Sequence, residues 1–234
     1  NNTIKADFDV SKQKFDNKKF LKQDGTTANP LGTTETIESI WKDSRAGYTD
    51  TLRMEREQYS LFWEADWNLG KSTIGVHHIE SANKGRTMPL SASDRKFVND
   101  MKANYPGSLQ NFYANATQAE IDKFNGLMPR DARTLESINT IYSAKYEVPL
   151  NNHFLVVGTE YLDAQMKDGI FGMDKGKSNG KKEYYQYALF AEDSWSIVDP
   201  LTITFGSRYD KHENFGDNLS PRLYATYAIN DSWT

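Results

Sequence analysis

The sequence predicts an all-β fold: about eight antiparallel strands of a transmembrane β-barrel, with long extracellular loops containing short helices. Three observations predict it. Long segments alternate apolar and polar residues, so each has one greasy face and one wet face when extended. The links between these segments are alternately short and long. Finally, the chain has no apolar run long enough for a spanning helix and a mean hydropathy of -0.73, yet 13% of its residues are aromatic. A barrel reconciles the last pair, because only alternate residues meet lipid and because Tyr and Trp suit the membrane interfaces.

The clearest alternation lies between Glu183 and Thr234. Tyr185, Tyr187, Leu189 and Ala191 share one parity, with Gln186, Ala188, Phe190 and Glu192 on the other. After Asp199-Pro200, Leu201, Ile203, Phe205 and Tyr209 alternate with Thr202, Thr204, Gly206, Arg208 and Asp210. Beyond a polar link at 214–219, Leu223, Ala225, Tyr227 and Ile229 alternate with Arg222, Tyr224, Thr226 and Ala228.

Upstream, Thr3 to Phe15 predicts a first strand, with Ile4, Ala6, Phe8 and Val10 in phase. Residues 17–49 are polar and rich in Gly, Thr, Asn and Pro, which predicts a long loop. Leu52 to Asn68 follows as a strand, with Tyr59, Leu61, Trp63, Ala65 and Trp67 on one side. Asn68-Leu-Gly-Lys71 predicts a hairpin turn and Ser72 to Glu80 the next strand. Residues 81–133 make an insertion longer than ordinary connections. Two helices are expected in it: Asp94 to Ala103 capped by Ser93, and about Gln118 to Asn125 opened by a Thr117/Glu120 capping box. Thr134 to Val148 and His153 to Ala164 are strands around the turn Pro149-Leu-Asn-Asn152, and 165–182 is a Gly- and Lys-rich loop. Short turns are expected on the periplasmic side and long loops outside.

The chain has 234 residues, a net charge of -4 and no cysteine, which excludes disulfides, thiolate metal sites and cysteine nucleophiles. His77 and His78 are neighbours on a strand and face opposite sides, so no metal site is expected. Neither a nucleophile beside a base nor a phosphate-cradling Gly loop is present, and no enzyme is expected. No nucleic-acid partner is expected either.

The runs Gln186-Tyr-Ala-Leu-Phe-Ala-Glu-Asp-Ser-Trp195, Asp199-Pro200-Leu201, Gly206-Ser-Arg-Tyr-Asp210 and Ser220-Pro221-Arg222 resemble TonB-dependent outer-membrane siderophore receptors. Within them the chain is most similar to the colicin I receptor and ferric-enterobactin (catecholate) receptor group. The resemblance is continuous from about Glu183. It is weaker but collinear upstream through Phe154-Leu-Val-Val-Gly-Thr-Glu-Tyr161 and Gln58-Tyr-Ser60, and the two large loops carry no match. It implies that residues 1–234 are one partial barrel domain from the first part of the wall, part of a large antiparallel transmembrane β-barrel with about eight of about 22 strands. The plug, the TonB-contacting N-terminus and the C-terminal barrel strands are expected to lie outside this sequence. A complete eight-stranded barrel is the competing reading.

The resemblance further implies outer-membrane, TonB-dependent uptake of a ferric catecholate siderophore such as ferric enterobactin or its breakdown products. The siderophore would be transported ligand, with no resident cofactor. Implied partners are the TonB complex through the missing N-terminal region, lipopolysaccharide, and the bacteriocins or phages that hijack family members. A passive porin-like or substrate-specific channel and a surface adhesin are the alternatives.

Charge agrees with an anionic ligand. Residues 81–133 hold eight basic and five acidic residues, and 165–182 hold five basic and two acidic, although the whole chain is acidic. Cations beside aromatic rings suit a flat anion. The nominated ligand contacts are Arg86, Arg95, Lys96, Tyr105, Phe112, Tyr113, Arg130 and Arg133, with Lys175 and Lys177 behind them. Exposed cations are more often simply solvated, or meet lipopolysaccharide phosphates. Glu64, Glu160, Glu192, Arg208, Asp210 and Arg222 are expected to face the lumen or a plug, where a ladder of cross-strand ion pairs is favoured over a ligand-guiding role.

Overall fold

The computed structural model describes residues 1–16, 20–21, 27–28, 37–42, 48–173 and 180–229. In chain order its elements are β1 (Asn2–Asp16), β2 (Phe20–Leu21), β3 (Thr27–Ala28), α1 (Ile37–Lys42), β4 (Tyr48–Trp67), β5 (Gly70–Arg86), α2 (Ala92–Asn104), α3 (Leu109–Asn115), α4 (Gln118–Asn125), β6 (Leu135–Leu150), β7 (His153–Asp168), β8 (Gly180–Val198), β9 (Leu201–His212) and β10 (Gly216–Tyr227). Eight strands form one antiparallel sheet in the order β1-β4-β5-β6-β7-β8-β9-β10, each beside its neighbour in sequence. Among the described residues, β2 and β3 pair only with each other. Among the described residues, β1 and β10 are the free edges.

Register turns the alternation of each strand into two coherent faces. Ile4, Trp63, Ile74, Ala144, Thr159, Leu189, Tyr209 and Leu219 occupy one continuous row. Many of its members are open, Ile4 at 72%, Leu189 at 53% and Leu219 at 63%. Water would not tolerate an apolar surface this extended, whereas hydrocarbon suits it.

Aromatic side chains bound this band. Tyr142 and Tyr161 approach to 6.2 Å, Tyr161 and Tyr185 to 6.3 Å, and Tyr187 and Tyr209 to 6.5 Å. At the opposite rim Trp63 meets Trp67 at 6.3 Å, and His153 stacks on Trp195 at 5.5 Å while its Nδ1 lies 2.7 Å from Asp193 Oδ2. Along β7 the eight residue steps from Tyr161 to His153 span about 27 Å, or about 20 Å upright at barrel tilt, close to the roughly 25 Å apolar band of such walls.

The strands outrun their expected ends at the long-loop rim. β5 runs to Arg86 rather than Glu80, because Glu80, Ala82 and Lys84 continue the ladder against Glu57, Glu55 and Arg53. Apolar alternation marks only the part in lipid; above it the same hydrogen bonds continue under polar side chains. The short turns match expectation. Gly70 closes one at φ +155°, where a Cβ would strike the Glu147 carbonyl, and Asn151 closes the next at φ +50°.

Among the described residues, the sheet encloses no buried apolar cluster of its own. The buried apolar cluster lies in a helical cap, where Leu90, Val98, Met101, Phe112 and Phe124 of the insertion enclose Ile40 and Trp41 of α1. Helix α4 has the expected bounds and the reciprocal Thr117/Glu120 capping box. Helix α2 begins earlier than expected, on Ser91 instead of Ser93: Ser91 Oγ accepts from the Asp94 amide at 3.1 Å, and Ser93 hydrogen-bonds to Ser91. Helices α1 and α3 fall where the sequence predicts loop. Asn, Phe and Tyr give α3 weak intrinsic preference, so its buried Phe112 and its Ser108 cap hold it.

Candidate functional site

The face opposite the apolar band is polar, and register places Glu64, Glu160, Glu192, Arg208, Asp210 and Arg222 all on it. Each is in an ion pair. Glu64 bridges Lys5 at 2.6 Å and Lys71 at 2.7 Å, joining β1, β4 and β5. Arg208 reaches Glu160 across β8 at 2.7 Å and Asp210 along its own strand at 3.0 Å, with its guanidinium 5.8 Å from the Phe190 ring. Arg222 pairs with Glu192 across β9. The sequence reading missed the lysines Lys5, Lys71 and Lys145, the last paired with Glu147 at 2.9 Å. Their parity was the available signal.

Small residues make these long reaches possible. Gly206 stands between Glu192 and Arg222 in one register row. A Cβ there would lie 3.2 Å from Arg222 Nε and 3.3 Å from Glu192 Cβ, so the bare backbone is the path the guanidinium takes. Gly75 and Gly158 are likewise covered by the rings of Phe62 and Phe190.

The nominated loop residues fall into two groups. Arg95, Lys96, Tyr105, Phe112 and Tyr113 belong to the cap. Arg95 Nη1 donates to the Leu90 carbonyl at 2.6 Å, and Lys96 pairs with Asp100 at 2.7 Å. The Tyr105 hydroxyl donates to Glu120 at 2.9 Å, which raises the phenol's pKa, while hydrogen bonds from Thr117 and Tyr105 lower that of Glu120. Phe112 is fully buried, in contact with Trp41, Tyr105, Tyr113 and Phe124, so it presents no surface to a ligand. Tyr113 is partly open and donates to Asn125 at 2.6 Å.

Arg86, Arg130 and Arg133 lie at the neck, where the insertion leaves the wall. There Thr87 bridges Ala132, and the Arg133 amide donates to the Arg86 carbonyl at 2.8 Å. The Arg133 guanidinium forks onto Asp168, whose carboxyl also accepts from the Ile170 amide at 3.2 Å. That pairing holds the Asp168 carboxyl below its usual pKa. Lys175 and Lys177 lie outside the described residues. Among the described residues no group of three or more His, Asp or Glu is arranged to hold a metal ion.

An antiparallel sheet with one lipid-facing side, one ion-paired side and a folded cap on its long-loop rim is a segment of the wall of an outer-membrane barrel. The chain belongs to the family described as TonB dependent receptor-like, β-barrel, whose model matches residues 3–234. It is 25% identical over 210 residues to the ferrienterobactin receptor of Escherichia coli K12, covering 82% of this chain and 25% of that protein. It is 26% identical over 198 residues to the probable TonB-dependent siderophore receptor PirA of Acinetobacter baumannii, covering 79% and 23%. It is 29% identical over 103 residues to the iron-regulated outer membrane virulence protein of Vibrio cholerae, covering 44% and 16%. The chain thus spans a quarter or less of these relatives' own lengths. A crystal structure of the ferric enterobactin receptor PfeA of Pseudomonas aeruginosa superposes with a TM-score of 0.56 at 20% identity, covering 77% of this chain and 24% of that one, and so supports the fold.

Proposed function

We propose that this chain is the first part of the wall of a receptor that takes up a ferric catecholate siderophore across the outer membrane with TonB-transmitted energy. The observation that carries the reading is the family match over residues 3–234 on a sheet whose inner face carries cross-strand ion pairs from β1 to β10. The relatives named for ferric enterobactin and for siderophores supply the ligand class. In this reading a plug and further strands complete the barrel, the iron is cargo held by its siderophore, and no catalytic step occurs. Tyr105, Tyr113, Arg95, Lys96, Arg86 and Arg130 are the ligand-side candidates, while Phe112 and Arg133 shape the loops that carry them.

The test is uptake of iron-labelled siderophores by cells with and without the full gene, comparing catecholate, hydroxamate and citrate carriers. Gene-dependent and TonB-dependent uptake of the catecholate is expected. Uptake of hydroxamate alone would overturn the ligand class, and TonB-independent uptake would favour a passive channel.

A further inference from the structure

On the outward face, between the tyrosine girdle and the row of His153 and Trp195, Asp193 is the single carboxylate among the described residues. Its register partners are apolar, Leu155 on β7 and Phe205 on β9. On β8 it is six residues below the girdle residue Tyr187, about 20 Å along the strand and about 15 Å upright at barrel tilt. The apolar band of such walls is roughly 25 Å tall, so Asp193 stands within its lower part, toward the short turns and the periplasm. A charge at lipid-facing depth is costly unless it is paired.

The protein supplies half of that pairing. Asp193 Oδ2 lies 2.7 Å from His153 Nδ1. A carboxylate only accepts, so Nδ1 carries the proton and Nε2 of the neutral ring is an acceptor. Among the described residues nothing donates to that Nε2, and Asp193 Oδ1, shielded from water, has no hydrogen-bond partner. The His153 ring is stacked on Trp195 within 8° of parallel, and the indole is partly exposed beside the carboxylate. Two unfilled acceptors next to an aromatic ring select a cation that is all donor. A primary ammonium has three N–H donors, no acceptor and an attraction to the indole face, whereas a phosphate has only acceptors to offer. The Asp193 side chain keeps 15% of its surface open, and its soft terminal torsion lets the carboxyl turn toward an arriving donor.

We propose that Asp193, His153 and Trp195 form a site for the ammonium headgroup of a phospholipid in the periplasmic leaflet, at a place where the bilayer thins to meet the wall. The site is on the face away from the lumen, so cargo passing through the barrel does not reach it. The proposal rests on the outer-membrane placement and not on the identity of the cargo.

The experiment uses the full-length receptor, purified, delipidated and folded as judged by heat-modifiable gel mobility. Binding of phosphatidylethanolamine, and of phosphatidylcholine with the same acyl chains, is measured for the wild type, for Asp193→Asn, and for Asp163→Asn. The last removes a carboxylate from the same face at the opposite rim. The choline head keeps the positive charge but has no N–H to donate. The wild type is expected to prefer the ethanolamine lipid about tenfold, Asp193→Asn to lose that preference, and Asp163→Asn to keep it. Equal binding of the two lipids by the wild type would overturn the proposal. So would a preference that survives in Asp193→Asn, which would leave the His153 pair a purely structural contact, or one that is lost equally in Asp163→Asn, which would mark a general charge effect. If Asp193→Asn does not assemble, the comparison of the two lipids on the wild type carries the test alone, with the same tenfold preference expected and equal binding contradicting the site. Siderophore binding, measured in the same samples, stays unchanged and separates this result from the uptake reading.

Discussion

Arg133 holds Asp168 with two guanidinium nitrogens, Nε at 2.8 Å and Nη2 at 2.7 Å, and the carboxylate is almost wholly buried at 2% exposure. The pair ties the end of the cap insertion to the extracellular end of β7, where the next loop starts. A planar fork on a buried carboxylate is a strong and directional contact.

Removing Arg133 alone leaves Asp168 buried without its charge partner. Arg133→Ala is expected to cost about 3–5 kcal/mol locally. In hydrogen exchange of the full-length receptor, residues 131–135 and 168–171 should lose protection while the strand centres keep theirs. Unchanged protection at the neck would contradict the clasp.

The same pair sets an acid limit. The folded pKa of Asp168 is lowered chiefly by the hydrogen bond from Arg133. A lowered carboxyl contributes stability that is fully present above its unfolded value of about 3.9 and is lost as pH falls through the folded value. Pepsin digestion between pH 2 and 5 should therefore cut the neck only toward the acid end. Cutting that is already complete at pH 5 would show that the carboxylate is not protected.

Trp41 packs on Phe112 at 5.3 Å and edge-on to Phe124 at 5.7 Å, so the first long loop helps to build the core of the second. Trp41→Ala is expected to cost the cap about 3–5 kcal/mol. Amides in 92–125 should then exchange faster, with β6 to β9 unaffected. A cap that keeps its protection would mean that α1 is only an ornament on it.

How much of this was legible follows from which residues carry a period. The strands in lipid were legible because Ile4, Phe8 and Ile203 alternate with polar neighbours. Their upper ends were not, since Glu80 to Arg86 keeps the backbone ladder without the apolar alternation. The lumen side of Glu160 and Arg208 followed from parity, but their partnership needed the register of three strands. Helix α1 hid inside a polar stretch. Ile37, Ile40 and Trp41 at helical spacing were its only mark, and that face has meaning only against Phe112 and Phe124, some seventy and eighty residues later. Arg133 read as a ligand cation because its partner lies at the far end of another strand.

Gly206 offers a test of the lumen ladder. In Gly206→Val the new side chain meets Arg222 Nε and the Ala191 carbonyl, each already 3.2 Å from a Cβ at that position. A cost of about 1–3 kcal/mol is expected, and it should shrink in an Arg222→Ala background. Thermal unfolding of the folded gel band measures both. Equal costs in the two backgrounds would mean that Gly206 serves something other than the Arg222 path.

Everything rests on one face of the sheet meeting hydrocarbon and the other meeting water. The sequence has no cysteine, so single cysteines can be placed one at a time from Gln186 to Glu192 in the full-length receptor and spin-labelled in native outer membranes. Collision with oxygen, which concentrates in lipid, should peak at positions 187, 189 and 191 and fall at 186, 188, 190 and 192. Oxygen access that is uniform along the strand, or that peaks at the even positions, would contradict the two-faced wall.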